Sequence, residues 1–236
     1  MKRKHMRRLG WALGWGLASC GFAAAAGGAK GHGSYELMAP LEQYLMKPDA
    51  EIALARSAAP AAISGNATIL TLRTDGYAAA VNGTNGFTCV VERSWMSPFD
   101  SLEFWNPRMR APICYNPAAS RSILAYTLRR TKLALAGHSR QAMLDEVRAA
   151  LARKEVPTPE PGAMSFMMSR DGYLGDDQGH WHSHLMFHVP KAPAASWGAN
   201  VPGSPVILDD RLVPEPQSIF LVPVDHWSDG TAAPIS

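Results

Sequence analysis

The chain has 236 residues, 47% of them hydrophobic and 18% charged, with 20 glycines and 18 prolines. This composition excludes an intrinsically disordered chain, a collagen-like chain and a polytopic membrane protein, because each needs a compositional bias that is absent here. The formal charge is +3, from 23 basic and 20 acidic residues, and the length suits one domain that buries roughly 70% of its unfolded surface without a disulfide lattice.

The charge is not evenly spread. Lys2, Arg3, Lys4, Arg7 and Arg8 precede residues 9–26, LGWALGWGLASCGFAAAA, which carry no charge. A basic n-region followed by an apolar h-region ending in small residues predicts an export signal over residues 1–26, cleaved after Ala26. An alternative is lipidation: Leu17-Ala18-Ser19-Cys20 resembles the lipobox of bacterial lipoproteins, which would make Cys20 the anchored first residue. Either route places the protein in the periplasm or outer envelope of a bacterium, touching membrane only through the signal or a lipid on Cys20. Without residues 1–26 the chain has 18 basic and 20 acidic side chains, a net charge of −2. No basic patch for nucleic acid remains.

Export also bears on the three cysteines. Cys20 lies in the signal, so Cys89 and Cys114 are the only pair left in an oxidising compartment, and they are predicted to be bridged. By loop entropy such a bridge contributes about 3.5 kcal/mol.

Residues 27–60 are predicted to form a leader with short helices at 41–46 and 50–57, and residues 61–236 a single domain. Residues 67–73, ATILTLR, are β-rich, and Asp75-Gly76 signals a turn. Residues 77–81 and 87–93 flank Asn-Gly-Thr-Asn-Gly and are predicted to pair as a hairpin, with Phe87, Cys89 and Val91 on one inward face. The stretch 94–117 holds Trp95, Phe99, Phe104, Trp105 and Tyr115 among four prolines. It reads either as an irregular segment packed onto the sheet or as an aromatic wall for a ligand. Two amphipathic helices follow, at 118–136 and 139–154, the second with Met143, Val147, Ala150 and Leu151 on one stripe. Strands are predicted again at 163–169, 181–189 and 218–224. Strands, then helices, then strands define an α+β class: one mixed domain, a mainly antiparallel sheet of about six strands packed with two central helices.

The segment 180–188 concentrates metal-capable side chains. On a strand, His180, His182, His184, Met186 and His188 share one face at a repeat of roughly 6.6 Å, while Trp181, Ser183, Leu185, Phe187 and Val189 form a core face. Two histidines two apart can reach one ion, with a further ligand from His138, His226, Asp176 or Asp177. Met164, Met167 and Met168 on the preceding strand add soft donors, so a zinc ion and a copper ion are both compatible cofactors. The same row can also be a polar or pH-responsive face with no ion. Were the ion a catalytic zinc, Asp171, Asp176, Asp177 or Glu160 could serve as its base, and the sequence does not select among them. His138 and Asp145 are spaced as in zinc murein peptidases, which that pair resembles, but the small residues those motifs carry between the two are absent, and no catalytic role is carried over.

Taken whole, the exported part resembles a group of secreted bacterial proteins with no assigned activity. The resemblance rests on GTNGFTCVVERSW at 83–95, FWNP at 104–107, PGAMSFMMS at 161–169, HWHSHLMF at 180–187, WGAN at 197–200, GSPV at 203–206 and WSDGT at 227–231. It implies secretion and one domain, and no activity. Three functions follow as expectations: a transition-metal-binding envelope protein, a zinc-dependent envelope hydrolase, or a structural or ligand-binding envelope protein without a metal, its partner unknown.

Overall fold

The computed structural model describes residues 35–176, 181–209 and 217–234. The predicted signal, Cys20, Asp177 and His180 lie outside the described residues. Eight strands form one sheet: β1 (Thr68–Arg73), β2 (Gly76–Val81), β3 (Thr88–Glu92), β4 (Ala111–Tyr115), β5 (Met164–Met167), β6 (His184–Pro190), β7 (Ile207–Asp209) and β8 (Gln217–Pro223). Their order is β2-β1-β3-β4-β5-β6-β8-β7, antiparallel throughout except for the parallel pair β1 and β3. Five helices accompany them among the described residues: α1 (Pro48–Arg56), α2 (Ala61–Ser64), α3 (Pro117–Ser122), α4 (Leu124–Leu135) and α5 (Arg140–Ala152). The α+β class is as expected, with two more strands than the sequence suggested.

Strand β4 escaped the sequence reading because Pro112 lies inside it, and proline normally marks an edge or a non-strand. Here β4 is central. Pro112 has the same parity as Arg110, whose backbone bridges Tyr173, and as Cys114, which pairs with Phe166. Its missing N–H therefore faces the gap between those two contacts, where β5 has already left the ladder. Strand β7 escaped because it is three residues long.

The expected hairpin of 77–81 with 87–93 is corrected. Strand β2 pairs with β1 through the Thr74-Asp75 turn, and β3 lies on the other edge of β1. The connection from β2 to β3 crosses the start of β1, held by Thr84 and Asn85 N–H groups donating to Asn66 O at 2.9 and 3.4 Å. At the crossing a Cβ on Gly83 would stand 2.2 Å from Thr68 N and 2.3 Å from Ala67 C, so only glycine lets the two backbones pass.

Helix α1 packs on one face of the sheet, against β1, β3 and β4. There Ala55, Cys89, Val91 and Cys114 form a fully buried cluster. Cys89 and Cys114 stand directly opposite on β3 and β4 and are joined by a disulfide, as predicted. Residues 41–60, expected in a leader, belong to this body. Tyr44 is fully buried, its ring 5.1 Å from that of Trp95, and the Glu51 carboxylate on α1 accepts from Arg93 at 2.8 Å in a buried ion pair.

Helices α3 and α4 cover the other face, and α5 packs on α4. The single helix expected over 118–136 is divided at Ile123, where the Ser122 hydroxyl donates back to Ala118 O at 2.7 Å and competes with the helix ladder. Gly137, at φ 78°, ends α4 as expected, and Ser139 caps α5 by accepting from Ala142 N–H. The aromatic stretch is core: Trp95, Phe99, Phe104 and Trp105 are all buried, packed with Tyr126 and the α5 stripe Met143, Val147 and Ala150. This settles the packed reading of that stretch over an aromatic surface patch, because the rings gain more from one another than from water.

Candidate functional site

The histidine segment is strand only from His184 onward. The expected parity holds within it, but the sides are reversed. His184 and His188 are buried on the face that α3 and α4 cover, with half-buried Met186 between them, while Leu185, Phe187 and Val189 are only half-buried. Phe187 packs 6.0 Å from Trp197, which stacks on Phe220 at 4.5 Å. The reversal is tertiary in origin. Helices α3 and α4 dock on the His–Met face of the sheet, and Trp197, from the short turn Ala194–Trp197, packs on the other.

His188 uses both ring nitrogens. Nδ1 lies 3.0 Å from Gln217 Oε1, which can only accept, so Nδ1 carries the proton and Nε2 accepts from the Ser165 hydroxyl at 2.9 Å. Burial pushes its pKa down to about 4, so the ring is neutral at physiological pH. His184 Nδ1 lies 2.6 Å from His182 O, its ring meets Trp181 edge-on, and burial lowers its pKa as well. The two side chains are four residues apart on one strand, roughly 13 Å along the backbone, too far to share an ion.

The other expected ligands are scattered. His182 is exposed beside Pro234 O, and His226 is paired with Asp225 at 2.8 Å. The fold does bring His226 to the segment, since the Ser183 hydroxyl donates to its carbonyl at 2.7 Å. His138 lies in the turn between α4 and α5, and Asp145, on α5, accepts from Gln141. Asp176 accepts from Tyr35 at 2.8 Å and also from Tyr173 and Arg108, and these contacts hold its pKa below the ordinary aspartate value, Tyr173 contributing most. Among the described residues no three His, Cys, Asp or Glu side chains converge as an ion would require. Within the row, His184 and His188 are each engaged singly by burial and hydrogen bonding, His182 is exposed, and His180 lies outside the described residues.

What the His–Met face does build is a cavity. A space of about 160 Å³ lies between the sheet and the helices, walled by Met96, Met109, Met167 and Met186 with Ile113, Ile123 and Ile219. Its polar lining comes from His188 and Gln217 on one side and from Glu92, Tyr115 and Thr127 on another. Met96, Leu174 and Met186 are half-buried and give it an opening, while most other walls are closed.

Glu92 is the residue that sequence reasoning missed. It ends β3 on the face opposite the disulfide, sharing parity with Thr88 and Val90, and is 8% exposed. The Tyr115 hydroxyl donates to its Oε1 at 2.6 Å and the Thr127 hydroxyl to the same oxygen at 2.8 Å. Among the described residues no cation forms an ion pair with it, and burial pushes its pKa above the usual carboxylate range despite the two hydroxyls and Arg130, which act the other way. The available signal was an acid inside TCVVE, a run of otherwise strand-forming residues.

Comparison of the chain with protein-family models, with curated proteins and with solved structures returns no match, so the cavity is interpreted through its own residues.

Proposed function

We propose that this protein binds a small, mainly apolar molecule in the cavity between α4 and the sheet, without chemistry of its own, in the bacterial envelope where its N-terminal sequence would deliver it. The carrying observation is a methionine-walled space of about 160 Å³ that contains a buried carboxyl group and a neutral imidazole. An apolar cavity of roughly 150 Å³ takes up a benzene-sized molecule, which sets the buried part of the ligand at about one six-membered ring or a short alkyl chain. Methionine walls suit such a guest, because unbranched, polarisable thioethers adapt to ring edges and to chains alike. This reading ranks above metal binding because both ring nitrogens of His188 are already engaged.

Titration with toluene, followed by amide chemical shifts and by melting temperature, tests the proposal. Expected are shifts confined to residues around Met167, Met186 and Ile113, a raised melting point, and loss of both in Met186→Trp, whose indole would fill the opening. Absence of any shift near saturation, or binding undiminished in Met186→Trp, overturns it.

A further inference from the structure

The polar end of the cavity specifies what kind of guest it suits. Glu92 is more than nine-tenths buried, and both of its hydrogen bonds from described residues fall on Oε1. An sp² oxygen has two lone pairs, so the Tyr115 and Thr127 hydroxyls saturate Oε1 and leave Oε2 as the atom that faces a ligand. Burial disfavours the charged form of this carboxyl and pushes its pKa above the usual carboxylate range, against the two hydroxyls and Arg130, which act the other way. The groups facing it from the packed elements are Tyr77 on β2, Tyr115 on β4, His188 on β6, and Thr127 and Arg130 on α4. Of these only Arg130 is cationic, and it donates to Ser97 O at 2.7 Å and lies 4.1 Å over the Phe99 ring. In the protonated form, which burial favours, the proton falls on Oε2 because Oε1 already accepts two hydroxyls, and Oε2 is then a donor without an acceptor among the described residues.

Resting on the binding function proposed above, we propose that the cavity selects neutral molecules bearing a hydrogen-bond acceptor, a ketone, ester or amide carbonyl on an apolar body, with the Glu92 Oε2 hydroxyl donating to that oxygen. The alternative occupant of a buried acid is an ammonium ion, which would take the proton from Glu92 and pair with the carboxylate. The thioether and alkyl walls disfavour that, because they offer nothing to replace the hydration of the remaining N–H donors.

Binding of acetophenone, ethylbenzene and benzylamine to the full exported domain, measured by calorimetry at several pH values, separates these cases. The expected result is acetophenone tighter than ethylbenzene by roughly three- to tenfold, the worth of one neutral hydrogen bond. That advantage should vanish as pH rises through the titration of Glu92. Glu92→Gln should keep the advantage and lose its pH dependence, because the amide oxygen still accepts from Tyr115 and Thr127 while its N–H donates into the cavity. Glu92→Leu should still bind ethylbenzene and show no preference for acetophenone. Benzylamine binding more tightly than acetophenone, with loss in Glu92→Gln, overturns the inference. Equal binding of ethylbenzene and acetophenone also overturns it while leaving the binding function intact. Failure of all three to bind overturns the function beneath it.

Discussion

Tyr115 and Glu92 meet across the β3–β4 pair although they are not opposite one another in the ladder. Tyr115 pairs with Thr88 and Glu92 with Ala111, so the phenol leans along the strands to place its hydroxyl 2.6 Å from Glu92 Oε1. The Thr127 hydroxyl, from α4, lies 2.9 Å from the same phenol oxygen and 2.8 Å from the same carboxyl oxygen. Sheet and helix thus converge on one buried acid, and its protonation is a property of the assembled layers.

That arrangement makes stability depend on pH in a defined direction. The folded protein holds Glu92 protonated above the ordinary value of 4.5, while the unfolded chain ionises near it. The Glu92 contribution is therefore fully present below the unfolded value and is lost as pH rises toward the folded one. Urea denaturation between about pH 4 and pH 8 should show Glu92→Gln gaining on the wild type as pH rises. A constant difference across that range would contradict it.

His188 acts in the opposite direction. Its folded pKa of about 4 lies below the ordinary 6.5, so it stabilises the fold above the unfolded value and loses that contribution as pH falls through the folded one. The shift corresponds to roughly 3 kcal/mol between the two limits. His188→Leu, although destabilised at neutral pH by losing its bonds to Ser165 and Gln217, should lose less on acidification than the wild type by about that amount. Parallel curves for the two proteins would exclude a buried neutral imidazole.

The disulfide is predicted to be both stabilising and protected. Cys89 and Cys114 have no exposed surface, so reductant should release no thiols from the native protein and two from the denatured one. The double variant Cys89→Ala/Cys114→Ala should lose about 3.5 kcal/mol by the loop-entropy relation. Thiol titration with and without denaturant, followed by chemical denaturation, checks both.

Gly83 is the backbone crossing on which the sheet order depends. Gly83→Ala places a methyl group 2.2 Å from Thr68 N and should cost about 3 kcal/mol or more, the range of severe steric substitutions. Gly137→Ala, at a positive φ with no neighbour within 4 Å of its added Cβ, should cost only about 1 kcal/mol of backbone strain. Equal melting temperatures for the two variants would show that the connection can take another path.

Much of the fold was legible in the sequence because it is encoded locally. Ser139 before a 3.6-residue stripe marks α5, Gly137 marks the end of α4, and alternation around Cys89 identifies the face of β3 that carries the disulfide. The strand neighbours were not legible. Whether β2 pairs with β1 or with β3 depends on which edge of β1 the Gly83 crossing reaches, a contact between residues about fifteen apart that leaves no periodic trace. The candidate site was less legible still. Residues 180–188 drew attention because histidines are rare and were clustered, whereas Glu92 and Thr127 are single polar residues on separate elements that only docking brings within 2.8 Å.

The sequence by itself determined the class of the domain, the pairing of Cys89 with Cys114, and which residues of the histidine strand share a face, because periodicity and composition act over a few residues. Only the tertiary structure decided which face is covered. With α3 and α4 laid on the His–Met side, the His184 and His188 imidazoles are buried and bonded singly, and the same face becomes one wall of a cavity whose chemistry centres on Glu92. The physical reason is that burial is a property of what packs against a strand, and alternation along the strand is identical whichever side the helices choose.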